Sequence, residues 1–296
     1  MIIAHTAFLE RLFDCLWQEY RERVSYARVY EDLLLARGGT FRNDHVAFRT
    51  FAAQSRWTGI AALSRPFEAL GYRAAGAYDF PDKSLTSVHF TPPSENLPKL
   101  FVSELRTWEL SPRARRIVLK ATARSAPRLS DADLAGLSDL SKVGARRRDQ
   151  LLRRWASQFA RPWPAPSPAD AAALERESQF AAWTLLHGHS VNHFTAAVHA
   201  QGVDALADIE LTAAALKAAG VPMKPEIEGG PGSPLRQTST RAVVVPVEMR
   251  AGSRVVKKPW TYAYFELAER PLIDGRRFEG FLGSQASSLF EMTRRA

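Results

Sequence analysis

Two histidines and two glutamates stand at matched places in this 296-residue chain: His45 in D-H-V-A-F-R, His193 in V-N-H-F-T, Glu104 in F-V-S-E-L and Glu266 in Y-F-E-L. Two neutral imidazoles and one carboxylate on one face of a divalent iron ion leave the opposite positions open. Such a set lets an oxygenase hold a bidentate 2-oxo acid and dioxygen together. His45, His193 and one glutamate supply it. Around His45 the sequence alternates as a strand does, so His45, Ala47, Arg49 and Phe51 share one side while Val46, Phe48 and Thr50 share the other. Arg49 follows His45 by four strand residues, about 13 Å at roughly 3.3 Å each. A side chain folding back over that distance brings a planar guanidinium within reach of a carboxylate on a metal-bound ligand. Pairing of Arg49 with an internal glutamate is the structural alternative.

The two glutamates compete for the third ligand position. Glu266 projects from the apolar run Y-F-E-L-A, where an inward carboxylate requires a cation or a donor, and it is the preferred ligand. Glu104, between Val102 and Leu105, fits the same pattern or pairs with an arginine. In H-G-H-S-V-N-H, His189 and His193 have the four-residue spacing of helical zinc ligands, but Gly188 and the strand-like V-N-H-F-T argue against a helix there. His189 is therefore expected beside the site or at the surface. His89 is expected to be a satisfied structural histidine, and His5 and His199 carry little signal. Cys15, the single cysteine, falls in the first helix and reads as a buried spectator; it excludes an intrachain disulfide.

The elements that must position these residues can be read from periodicity. Phe8, Leu9, Leu12, Phe13, Leu16, Trp17, Tyr20 and Val24 recur at the spacing of one buried helical face, and a second helix ends at Gly38-Gly39. Next come the His45 strand, a helix over 55–70 broken or restarted at Pro66, and strands at 72–80, 85–90 and 100–105. After a helical, Ala- and Arg-rich stretch the order returns. A strand at 191–198 carries His193, a helix spans 204–219, and strands follow at 235–240, 242–249 and 261–267. The expectation is one elaborated α+β domain over 1–296. It comprises N-terminal helices (1–40), a first βαβββ module (41–107), a helical insertion (108–188) and a second βαβββ module (189–296). The paired modules would close an open barrel around one metal.

The chain has 46% hydrophobic residues and a formal charge of +9. Its length and composition are sufficient for a large core, and no apolar run approaches the roughly 20 residues of a membrane span. The start, Met1 to Ala7, is too short and too polar for a secretory signal, so the expected location is the cytoplasm. Much of the positive excess lies in R-A-R-R and A-R-R-R-D-Q-L-L-R-R-W, between residues 113 and 161. With no nucleic-acid motif beside it and few interleaved aromatics, this run reads as a solvated helix face. A basic nucleic-acid binder is the least favoured alternative.

At these residues the chain resembles the 2-oxoadipate dioxygenase/decarboxylase family of the vicinal-oxygen-chelate superfamily. The resemblance rests on H-V-A-F-R (45–49), F-V-S-E-L (101–105), V-N-H-F-T (191–195), L-R-Q-T-S-T (235–240) and F-E-L-A-E-R (265–270). It implies Fe(II) held by His45, His193 and Glu266, substrate bound by Arg49, and a polar substrate contact from Gln237. The implied reaction takes 2-oxoadipate and dioxygen to 2-hydroxyglutarate and carbon dioxide, in lysine catabolism, with the same 2-oxo acid decarboxylated and hydroxylated. The chain is shorter than the best-known members, and the metal chemistry carries over more directly than the substrate. The alternative within the superfamily is an isomerase or hydrolase using zinc, nickel or manganese.

Overall fold

The computed structural model describes residues 2–53, 55, 57–125, 129–283 and 290–293. Two helices open the chain, α1 (Ile2–Arg23) and α2 (Ser25–Leu35). The first half of the sheet follows as β1 (Asn43–Ala52), α3 (Ile60–Ala69), β2 (Arg73–Phe80), β3 (Leu85–Thr91) and β4 (Lys99–Arg106). Five helices come next: α4 (Pro112–Thr122), α5 (Asp131–Ser138), α6 (Ala145–Ala156), α7 (Pro168–Glu177) and α8 (Gln179–His187). The second half is β5 (Val191–Ala197), α9 (Ile209–Ala218), β6 (Arg236–Ser239), β7 (Val244–Ala251), β8 (Arg254–Thr261) and β9 (Glu266–Glu269). A short hairpin, β10 (Leu272–Ile273) with β11 (Arg276–Arg277), comes last.

One seven-stranded sheet, in the order β2-β3-β4-β1-β5-β9-β6, curls into a half-barrel. It is an α+β architecture of the vicinal-oxygen-chelate kind. The two halves meet where β1 runs antiparallel to β5. Both faces of the sheet are covered, and strand alternation sorts the side chains between them. Val46, Phe48, Leu100, Val102, Phe194 and Leu267 point to the outer face and join the core built by α1, α3 and α6. Ala47, Phe51, Phe101, Leu105 and Ala268 point to the inner face, with α8 and the residues around Phe281 and Phe290. Trp17 of α1 stacks on Phe41 with centroids 4.2 Å apart and meets Phe194 edge-on at 5.2 Å, so the first helix braces the outer side of β5.

Several expectations change. The second half places three strands in the main sheet instead of four: residues 244–251 pair with 254–261 as a separate hairpin, whose Val247, Met249 and Trp260 pack into the inner core cluster. Pro66 does not break α3, which runs through it; the helix is only ten residues long and starts at Ile60, so the proline lies near its C-terminal end on the buried side. Cys15 is exposed, since the buried stripe of α1 runs through Leu12, Phe13, Leu16 and Trp17 and leaves position 15 on the solvent side. The Arg-rich helix α6 buries Leu151, Leu152 and Trp155, while Arg147 and Arg154 donate to the fully buried Asp133 of α5. Part of the positive excess thus has a structural partner.

Candidate metal centre

Strand register brings the distant donors together. His45 of β1 lies opposite Thr195 of β5, and Thr195 lies opposite Glu266 of β9. His193, two residues before Thr195, lies opposite Ala47. All are on the inner face. His45 Nε2 is 3.5 Å from Glu266 Oε1, His193 Nε2 is 3.5 Å from Glu266 Oε2, and the two Nε2 atoms are 3.3 Å apart. The three residues are buried, and one donor atom from each lies within 4.8 Å of the other two.

Hydrogen bonding fixes which atoms face this point. His45 Nδ1 donates to Asp44 Oδ1 at 2.8 Å and His193 Nδ1 donates to Asn192 Oδ1 at 3.1 Å. Each ring therefore presents an unprotonated Nε2, the tautomer that a metal requires, and in the absence of an ion the hydroxyl of Thr195, 3.1 Å away, can donate to that of His45. Two Nε2 acceptors 3.3 Å apart, beside a carboxylate, repel one another unless something positive sits between them. Gln237 Nε2 donates to Glu266 Oε1 at 2.6 Å, while Glu266 Oε2 is buried without a hydrogen-bond partner. Donors bound about 2.1 Å from one ion at right angles stand about 3 Å apart, near the spacing found here. The residues fit a divalent transition metal.

Electrostatics agrees. Burial lowers the pKa of His45, opposed by Asp44, and holds that of His193 well below the ordinary imidazole value. Burial also pushes Glu266 well above the ordinary carboxylate range, opposed by the Gln237 hydrogen bond. A buried carboxylate facing two lone pairs is costly as an anion unless a cation compensates it. Burial likewise raises the cost of ionising Asp44, yet the Arg270 guanidinium and the His45 hydrogen bond together outweigh it and hold that carboxyl well below its usual range.

Arg49 reaches the same cavity, which is lined also by Phe101, Ser103, Asn192, Tyr264, Phe281 and Phe290. Its described contacts are to neutral groups. Nη1 donates to Thr293 Oγ1 at 2.8 Å and Nη2 to the Phe290 carbonyl at 3.3 Å, the rings of Phe180 and Trp183 lie 4.8 and 5.0 Å from the guanidinium carbon, and Nε is buried without a partner. Burial pushes its pKa down to about 10.

The other sequence candidates lie elsewhere. Glu104 is on the outer face, away from the metal donors, and its Oε2 accepts from the backbone N–H of Ile60 at 2.8 Å, serving the first turn of α3; among the described residues it has no arginine partner. His189 is neither at the surface nor beside the metal donors: it is buried, bonded to Thr50 Oγ1 at 3.2 Å and edge-on to Trp163. His89 lines the inner face, with Nδ1 at 2.9 Å from Tyr78 OH. Asp44 and Asn192 went unnoticed in the sequence, although a usable signal was present. Each histidine is preceded by a residue bearing a side-chain oxygen, D-H in one half and N-H in the other.

Comparison with known proteins places this geometry. The family model described as 2-oxoadipate dioxygenase/decarboxylase matches residues 18–291. A curated relative, the chloroplastic 2-oxoadipate dioxygenase/decarboxylase of Arabidopsis thaliana, is 29% identical over 276 residues; the match covers 84% of this chain and 67% of that protein. Among solved structures, a glyoxalase-superfamily protein from Ralstonia eutropha JMP134 superposes with a TM-score of 0.83 at 28% identity, covering 94% of this chain and 86% of the other. Hydroxyglutarate synthase from Oryza sativa, solved in complex with 2-oxoadipate, gives 0.80 at 25% identity and covers 98% and 93%. The chain belongs to the 2-oxoadipate dioxygenase/decarboxylase family.

Proposed function

We propose that this protein is an Fe(II)-dependent dioxygenase and decarboxylase of 2-oxo dicarboxylic acids, with His45, His193 and Glu266 as metal ligands and 2-oxoadipate as substrate. One observation carries the reading: a buried His-His-Glu set with both Nε2 lone pairs aimed inward shares a cavity with a buried guanidinium whose described contacts are all neutral. The relatives' names agree with it. The atoms balance, since 2-oxoadipate and dioxygen together equal 2-hydroxyglutarate and carbon dioxide, so no external reductant or second 2-oxo acid is required. Bound iron supplies the electrons that activate dioxygen and a chelating site for the 2-oxo carboxylate.

The chain's own residues do the rest. Asp44 and Asn192 hold the two imidazoles in the ligating tautomer, and Gln237 fixes one oxygen of Glu266 by donating to it. The Gln237 side chain also borders the cavity, where it can contact substrate. Arg49 binds the distal carboxylate, a charge that none of its described direct contacts supplies. Phe101 and Phe281 exclude water from the reacting end, and Phe290 covers the Arg49 end. No described helix is long and apolar enough to cross a membrane; a cytoplasmic setting belongs to the same proposal.

The deciding experiment couples oxygen uptake to carbon dioxide release across a panel of 2-oxo acids, with protein loaded anaerobically with Fe(II), Zn(II), Ni(II) or Mn(II). Equimolar oxygen consumption and carbon dioxide release, with iron and 2-oxoadipate, is the expected result. Turnover of any substrate by the zinc, nickel or manganese form without oxygen consumption would replace this reading with that of an isomerase or hydrolase.

A further inference from the structure

Arg270 is 1% exposed, and the hydrogen bonds of its guanidinium run to two places. On one side Nε and Nη2 donate to Asp44 Oδ2 and Oδ1 at 2.6 and 2.9 Å, a two-bond fork. On the other, Nη1 donates to the carbonyls of Phe278 and Gly280 at 2.7 and 2.8 Å. Asp44 is the residue that accepts the Nδ1 proton of His45. Phe281, next after Gly280, stands edge-on to His45 with centroids 4.8 Å apart, borders the cavity, and anchors its own N–H on Tyr78 OH at 3.2 Å. Its ring also lies 5.2 Å from the Arg270 guanidinium carbon.

A guanidinium is planar and rigid, so both sets of bonds belong to one orientation of the group. If residues 278–280 move away, Nη1 loses two acceptors and the plane is free to tilt. Tilting breaks the fork to Asp44, which then no longer fixes the imidazole. Conversely, an ion on His45 Nε2 strengthens the Nδ1–H donor and hence the Asp44–Arg270 pair. That in turn holds the two carbonyls in place.

We propose that Arg270 is a positioning residue that couples metal loading at His45 to the seating of residues 278–281 over the cavity. The coupling rests on the metal-site reading above and is reciprocal: whatever seats the segment raises metal affinity by the same factor that metal seats the segment.

The test uses the full chain, Co(II) titration by calorimetry, and hydrogen exchange of the peptide covering residues 278–283. In the unmodified protein Co(II) slows exchange in that peptide several-fold. Arg270→Lys keeps the charge but not the fork; it weakens Co(II) binding about 10- to 100-fold, as loss of a group supporting a metal-bound histidine does, and exchange becomes fast and indifferent to Co(II). Asp44→Asn breaks the fork from the other side: it weakens Co(II) to a similar degree, and exchange in the peptide becomes faster and indifferent to Co(II). If Arg270→Lys fails to fold, the Asp44→Asn pattern decides. Unmodified affinity in Arg270→Lys, or exchange that ignores Co(II) in the unmodified protein, overturns the coupling while leaving the metal site standing. A His45→Ala protein that binds Co(II) normally removes the metal site itself.

Discussion

Glu104 on β4 and Glu266 on β9 come at the same step of the two halves of the sheet, and the sheet turns them to opposite sides. Glu104 pairs in register with Thr50, an outer-face residue, and meets the start of α3; Glu266 pairs with Thr195 and faces the two histidines. In a strand a shift of one residue reverses the face. The outer glutamate finds a backbone N–H and becomes part of the scaffold, while the inner one finds two imidazole lone pairs. Two similar modules thus make one asymmetric site: the first supplies His45 and Arg49, and the second supplies His193, Glu266 and Gln237.

The largest expected effect separates these two carboxylates. Glu266→Ala abolishes 2-oxoadipate-dependent oxygen uptake and lowers bound iron to a trace, whereas Glu104→Ala retains stoichiometric iron by elemental analysis. A reversed pattern would show that the metal lies on the other side of the sheet. Next in size is Arg49→Met, which keeps its metal but loses the ionic partner of the distal carboxylate. Removing one member of a buried charge pair costs roughly 2–5 kcal/mol, read as a fall of about one and a half to three and a half orders of magnitude in kcat/KM for the dicarboxylate. A 2-oxo monocarboxylate should lose much less; an equal loss on both would mean that Arg49 does not read the second carboxylate.

Smaller effects belong to groups that serve the fold. Glu104→Ala removes an acceptor from the first turn of α3 and should cost about 1 kcal/mol, a drop of a few degrees in Tm by calorimetry. His187 is buried with Nε2 2.9 Å from the Thr261 carbonyl, and burial holds its pKa down to about 3, against an ordinary value of 6.5. The unfolded chain therefore takes up this proton first. The stability that neutral His187 contributes is complete above about pH 6.5 and is lost as pH falls from there towards 3. His187→Gln, which preserves the donor and removes the titration, should move the acid-unfolding midpoint to lower pH in far-ultraviolet circular dichroism. An unmoved midpoint would assign acid sensitivity to other groups, such as buried His189, held down to about 4.

Alternation around His45 and Val191 to Val198 was enough to place both histidines on strands and to give Arg49 the same face as His45. The apolar stripe of α1 was equally plain. What local pattern could not reveal was pairing. Register across β1, β5 and β9 depends on which strands are neighbours, so the apolar run around Glu266 favours it as the ligand but only the sheet assigns each glutamate to a face. Separation of the hairpin 244–261 from the main sheet was hidden for the same reason. Cys15 reads as buried because its neighbours Phe13, Leu16 and Trp17 are apolar, while its own angle on the helix points outward. The partners of Arg270 lie 226 residues away at Asp44 and within ten residues at Gly280, a combination that no spacing rule anticipates.

Behind the strands that carry His193 and Glu266 stands the first helix. Trp17 packs on Phe194 and Phe265, each adjacent in sequence to one of those two residues, and Tyr20 donates its hydroxyl proton to the backbone carbonyl of Tyr264. The helix touches neither the ion's donors nor the cavity, yet it acts as a splint for two of the three. Stiffness needed for chemistry is therefore supplied from the far side of the sheet, by aromatic residues among the first twenty of the chain.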